Sequence, residues 1–133
     1  MALITAAEFD RIITAARVVD LCDDDGNGTA DAAVVSDVLD QASDLVQEYA
    51  RRAGVTLTAP CTASMARRVA MIAAHYAAQR RPQYRDATGR APYAQEYDTA
   101  VKELTAWASR VHQTSDAEES TAPEPLGDDL RGW

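Results

Sequence analysis

One stretch constrains the fold of this chain more than any other. The acidic, glycine-punctuated segment from Asp20 to Asp31 leads directly into a long amphipathic run, Ala32 to Ala53. Within that run, apolar residues fall at Val34, Val35, Val38, Leu39, Ala42, Leu45, Val46, Tyr49 and Ala53. This is the spacing of one helix face held over several turns. Asp31 stands at the N-cap position, its carboxylate placed to accept a backbone N–H, and Gly54 supplies the stop. A helix with one apolar face must bury it, so the other elements are expected to pack around this run.

The segment before the helix also has the spacing of a cation loop. Asp23, Asp25, Asn27, Gly28 and Asp31 match the first, third, fifth, sixth and ninth places of an EF-hand calcium loop. The twelfth place, where a bidentate Glu closes the coordination sphere, is Val34, a residue the helix register puts on the buried face. Two readings stay open: a calcium site on Asp23, Asp25, Asn27 and Asp31, or an Asx/Gly turn followed by an N-cap. No second loop of this kind exists to form the usual pair.

In chain order, Thr5-Ala-Ala-Glu8 has the form of a capping box opening a first helix with Phe9, Ile12, Ile13 and Ala16 as its apolar face. Val18, Val19 and Leu21 carry apolar character up to the acidic loop as a last turn or a short extended stretch. After Gly54, the β-leaning connector Val55 to Pro60 leads to a third helix from about Cys61 to Arg81, with Pro60 in its first turn and Pro82 ending it. Met65, Val69, Ile72, Ala73 and Tyr76 form its apolar stripe, and the lone His75 beside them reads as a packed or surface side chain rather than a ligand. A loop rich in Arg, Tyr, Gly and Pro runs from Pro82 to Pro92. A fourth helix is expected from about Tyr93 to Val111, with Tyr97, Val101, Leu104, Ala108 and Val111 as its stripe and Trp107 at its edge. From Gln113 onward Ser, Thr, Pro, Asp and Glu dominate and the periodicity stops. The expected architecture is therefore all-α: a small four-helix bundle over residues 1–112, followed by an acidic, Pro/Ser-rich arm over 113–133.

Composition narrows the possible functions. With 133 residues the chain makes one domain of ordinary size. Alanine is its commonest residue, so buried positions contribute little apolar area each, and subunit packing is expected to add to a thin core. The net charge is −8, with 21 acidic against 13 basic side chains. Acidic residues from Asp10 to Glu48 occupy the N-terminal part, while Arg51, Arg52, Arg67, Arg68, Arg80, Arg81, Arg85 and Arg90 occupy the middle. Such segregation suits head-to-tail packing of identical copies, although two solvated faces would carry the same pattern. The residues expected at contacts with other copies or with a partner protein are Arg67, Arg68, Arg80, Arg81, Tyr84 and Arg85, with Leu126, Leu130 and Trp133 as sparse anchors in the arm. A DNA-binding role for the arginines is opposed by the net charge.

Cys22 and Cys61 lie far apart and outside any CxxC spacing, which indicates neither a zinc site nor a disulfide framework and fits a reducing compartment. There is no signal-peptide pattern and no run long enough to span a bilayer. No nucleophile elbow, Walker loop or metalloprotease pair is present, so a binding or assembly protein is expected rather than an enzyme, with no cofactor other than calcium in question.

These features together resemble a known family. A short first helix, then Val19-Asp-Leu-Cys-Asp-Asp-Asp-Gly-Asn-Gly-Thr-Ala-Asp31, then the helix bearing Val34, Val35, Val38, Leu39, Ala42, Val46 and Tyr49, then Leu57-Thr-Ala-Pro60 and a helix ending in His75, Tyr76, Arg80, Arg81 and Pro82, is similar to the neck proteins of Mu-like and other long-tailed phages. These are the head–tail adaptor, connector or head-completion proteins. The resemblance covers residues 1–111 and leaves the arm outside. It implies a helical protomer that forms a ring, typically of twelve copies, beneath the portal protein in the virion neck, after assembly in the host cytoplasm. The ring would lengthen the channel through which DNA passes without sequence-specific binding, and would dock the tail-side neck, stopper or tail terminator proteins. The arm would grip the portal. The alternative is a small helical binding module with a lone calcium loop.

Overall fold

The computed structural model describes residues 2–80 and 93–120, with the side chains of the last helix described as far as Val111. Five helices, and no strand among the described residues, make up the fold: α1 (Ala6–Ile13), α2 (Ala15–Cys22), α3 (Ala32–Arg52), α4 (Ala63–Gln79) and α5 (Ala94–Ser120). The all-α class is as expected, but the first of the four expected helices is two. Thr14, at φ +86°, breaks the run that periodicity alone would join. It ends α1 and caps α2, its hydroxyl accepting the Arg17 N–H at 3.4 Å. Val18, Leu21 and Cys22 therefore bury from a helix and not from an extended stretch.

The start of α1 and the end of α3 follow local chemistry closely. The capping box at Thr5 forms in both directions: the Glu8 N–H donates to the Thr5 hydroxyl at 3.1 Å, and the Thr5 N–H to the Glu8 carboxylate at 3.1 Å. At the other end of α3, Gly54 takes φ +76°. Its N–H reaches the Arg51 carbonyl at 3.0 Å, and the Val55 N–H reaches that of Ala50 at 2.8 Å. These are the two bonds of a Schellman stop, which a side chain at the left-handed position would strain. The start of α4 departs from expectation. Pro60 lies before the helix, behind a cis bond from Ala59, and Thr62 is the cap, accepting the Met65 N–H at 3.3 Å. The end of α5 departs more. The helix continues to Ser120, past Val111 and into the expected arm, because Gln113 and the segment Asp116-Ala-Glu-Glu119 are tolerated in a helix even where no apolar stripe asks for one.

The centre of the molecule is α4, although the pattern of α3 marks that longer helix as the organiser. Helices α1, α2, α3 and α5 all pack against α4. Eleven of its 17 residues are buried, among them Ala66, Ala70, Ala73, Ala74, Ala77 and Ala78. These alanines share one broad face of the helix and let neighbours packed there approach closely while adding little area of their own. Met65, Val69 and Ile72 fill the other side, and Phe9, Leu21, Val38, Val46 and Leu104 are fully buried in the same core. Of the sequence stripe, α3 buries Val35, Val38, Leu39, Ala42 and Val46, while Val34, Leu45 and Tyr49 are half-buried; Ser43 and Ala50, outside the stripe, are buried too.

Polar contacts fix the irregular segments onto this scaffold. The buried Ser43 hydroxyl accepts the Leu3 N–H at 2.8 Å, and the Cys61 thiol donates to the Leu3 carbonyl at 3.6 Å. Gln47 Nε2 donates to the Leu57 carbonyl at 2.9 Å, holding the connector along α3. Two substitutions test this account by urea unfolding. Ser43→Ala should cost about 1–3 kcal/mol, since the Leu3 N–H is left buried without an acceptor. Ala73→Leu should cost about 1–3 kcal/mol through overpacking, despite adding apolar area.

Candidate functional site

The acidic loop is a self-capped turn. Asp23 accepts N–H bonds on both carboxylate oxygens, from Gly26 at 2.9 Å and Asn27 at 3.2 Å on Oδ1, and from Gly28 at 2.8 Å on Oδ2. Asp25 accepts from the Asn27 N–H and side-chain amide, each at 3.2 Å, and Asn27 in turn accepts from the Thr29 N–H at 2.9 Å. Gly26 and Gly28 stand at positive φ, which aims these N–H groups inward. Desolvation would raise the Asp23 carboxyl, but the bonds from Gly28, Asp25, Asn27 and Gly26 together hold it below the usual range. Its hydrogen bond with Asp23, with desolvation next, pushes Asp25 the other way.

Asp31 has the extended backbone of an N-cap, and its carbonyl accepts the Val35 N–H at 3.0 Å. Its side chain does not cap α3. It turns back to accept the Asp24 N–H at 3.1 Å, so closing the loop takes the carboxylate the sequence assigns to the helix. One oxygen each from Asp23, Asp25 and Asp31 lies within 4.8 Å of the other two. Val34, at the twelfth place, is half-buried against the core, so the loop supplies no closing carboxylate there.

The arginines assigned to assembly divide sharply. Arg80, just past α4, pairs with Asp24 and donates to the Leu21 carbonyl at 3.5 Å. It thereby ties the acidic loop to the end of the central helix. Arg68 is buried, 6% exposed, with its Nε 3.2 Å from the Glu103 carboxylate across α4 and α5. Desolvation lowers the Arg68 pKa, opposed by Glu103 and reinforced by Arg110. Both pairs bond elements within the chain. The spacing of Arg68, three residues after Met65 and four before Ile72, is a signal of burial that its assignment to an intermolecular contact overlooks. Its partner, 35 residues away by number (103 minus 68), was not legible. Arg67 is exposed, and lines two clefts, one of about 490 Å³ between α4 and α5 and one of about 630 Å³ between α1 and α4. Arg81, Tyr84, Arg85, Leu126, Leu130 and Trp133 lie outside the described residues.

His75 is buried and stacks on Tyr97 with ring centroids 4.7 Å apart, and Tyr76 lies 5.9 Å from Tyr97. The cluster closes the α4–α5 contact at the end opposite Trp107. Among the described residues Asp23, Asp25 and Asp31 form the one convergent set of potential metal ligands. No helix among the described residues is long and apolar enough to cross a membrane.

Residues 4–129 match the family described as bacteriophage Mu, Gp36. The match runs past Val111 and takes in most of the arm that the sequence resemblance left outside. No curated protein and no solved structure matches the chain.

The tyrosine cluster makes a pH prediction. Desolvation first, then Tyr97, pushes the Tyr76 phenol up to about 12 from the usual 10. Between those values the unfolded chain has lost this proton and the folded chain keeps it, so stability falls as pH rises from 10 toward 12. Titration by phenolate absorbance should show a late component that Tyr76→Phe removes; the same profile in both proteins would refute the burial argument.

Proposed function

Because the chain belongs to the bacteriophage Mu Gp36 family, we propose that it is a structural protein of the phage particle, a head–tail adaptor of the virion neck, and not an enzyme. In this role identical copies form a ring, of twelve in the expected case, under the portal protein. The ring extends the DNA channel and receives the tail-side neck proteins. The observation that carries the proposal is the distribution of charge on a small helical body. Arg68 and Arg80 are spent on internal pairs, while Arg11, Arg67 and the α3 carboxylates Asp37 and Asp44 stand exposed. A protomer with a rigid alanine-centred core and exposed charges of both signs is suited to ordered contacts with other subunits. DNA passing such a ring needs no base contact and meets a protein of net charge −8, which disfavours retention.

A second reading is a calcium-holding module, favoured by the convergence of Asp23, Asp25 and Asp31 within 4.8 Å. It predicts heat on calorimetric titration with calcium and a raised melting temperature, both lost in Asp23→Ala.

Light scattering on the protein mixed with the candidate portal protein tests the adaptor. A defined complex of many copies per portal is expected, and removal of residues 121–133 should weaken it, with circular dichroism confirming that the shortened chain is folded. A chain that stays monomeric and ignores the portal, yet responds to calcium, would replace the adaptor with the module.

A further inference from the structure

Two sets of charges on this molecule, exposed or half-buried, lack a partner among the described residues. On α3, Asp37, Asp40 and Asp44 fall at i, i+3 and i+7, so they lie along one line of the helix, about 10 Å from first to last. None of the three makes a hydrogen bond or ion pair among the described residues. The second set is Arg11 of α1 and Arg67 of α4, which line the same cleft of about 630 Å³. They too are unpaired among the described residues, whereas Arg51, Arg68 and Arg80 each have a carboxylate. Glu8 also borders this cleft, but its Oε1 is taken by the Thr5 N–H in the capping box. Ala63 and Ser64, in the first turn of α4, line the cleft as well, so the positive end of the central helix adds to the two guanidinium charges.

The two sets are not joined by any ion pair in a single copy. We infer that they join between copies: the acidic line of α3 in one copy seats on the Arg11–Arg67 cleft of the next. A ridge of carboxylates about 5–6 Å apart meets a concave basic surface, which is complementary in both shape and sign. Like faces repel, so the contact pairs unlike faces, and a ridge used on one neighbour and a cleft on another let the assembly propagate head-to-tail. The joint rests on the assembling protein proposed above but needs no portal, so the two can fail separately.

The test uses two full-length variants, Asp37→Lys/Asp40→Lys/Asp44→Lys and Arg11→Glu/Arg67→Glu, with sedimentation velocity at low and high salt and circular dichroism to confirm folding. The native chain should self-associate at low salt and dissociate as salt screens the contact. Each variant alone, now presenting one sign on both faces, should associate at least about tenfold more weakly. Mixed together, the two should co-assemble, since the reversed ridge of one fits the reversed cleft of the other. A native chain that remains monomeric at low salt overturns the joint without touching portal binding. So do folded variants that associate as the native chain does, or a mixture that does not co-assemble. A cleft variant that associates normally but loses salt-dependent binding to duplex DNA would assign the cleft to nucleic acid and overturn the joint as well.

Discussion

Close approach to an alanine-walled helix is the constraint on which this molecule depends. Ala70, Ala73, Ala74 and Ala77 are fully buried in α4, with α1, α2, α3 and α5 packed about that helix. Larger side chains there would push the neighbours apart and loosen a core in which Phe9, Leu21, Val46 and Leu104 are fully buried. The same arrangement limits how much apolar area a chain of this size can bury, because the helix with the most covered surface has the least side chain to cover. Additional stability then has to come from polar ties such as Leu3 to Ser43, from paired charges across helices, or from other subunits.

Charge is used in two ways on this scaffold. Arg68 with Glu103 locks α4 to α5, and Arg80 with Asp24 holds the acidic loop against the end of α4. The first of these is the more consequential, because an arginine that is 6% exposed cannot be left without its carboxylate at small cost. The second is half-exposed and contributes modestly, yet it sets the position of the loop. Among the charges left over are those on α3 and at the α1–α4 cleft. The role proposed above, in a member of a bacteriophage Mu family, gives that remainder a context, since an assembling protein works by contact with other copies and other chains.

The acidic loop shows why a spacing motif and a site differ. Five places of the calcium pattern are filled, and three carboxylates do converge. Yet the Asp23 oxygens already accept three backbone N–H bonds, and the residue at the closing place packs toward the core. An Asx turn needs the same Asp, Asn and Gly residues at nearly the same intervals as a cation loop does, because both fold backbone around a carboxylate.

Local order was determined by the sequence alone: the all-α class, the capping box at Thr5, the buried stripe of α3 and its stop at Gly54 all depend on residues within a few positions of each other. What only the tertiary structure decided involves partners distant in the chain or competition between local options. Thr14 broke one expected helix into two, and α5 ran on to Ser120 where the loss of apolar pattern predicted an arm. The Asp31 carboxylate went to Asp24 and not to α3, and two arginines that looked available for assembly were taken by Glu103 and Asp24. The choice of α4 over α3 as the centre belongs here too. Periodicity reports how apolar one face of a helix is, but α4 is covered on an alanine face and on a face of Met65, Val69 and Ile72 as well, and that is visible only once the neighbours are in place.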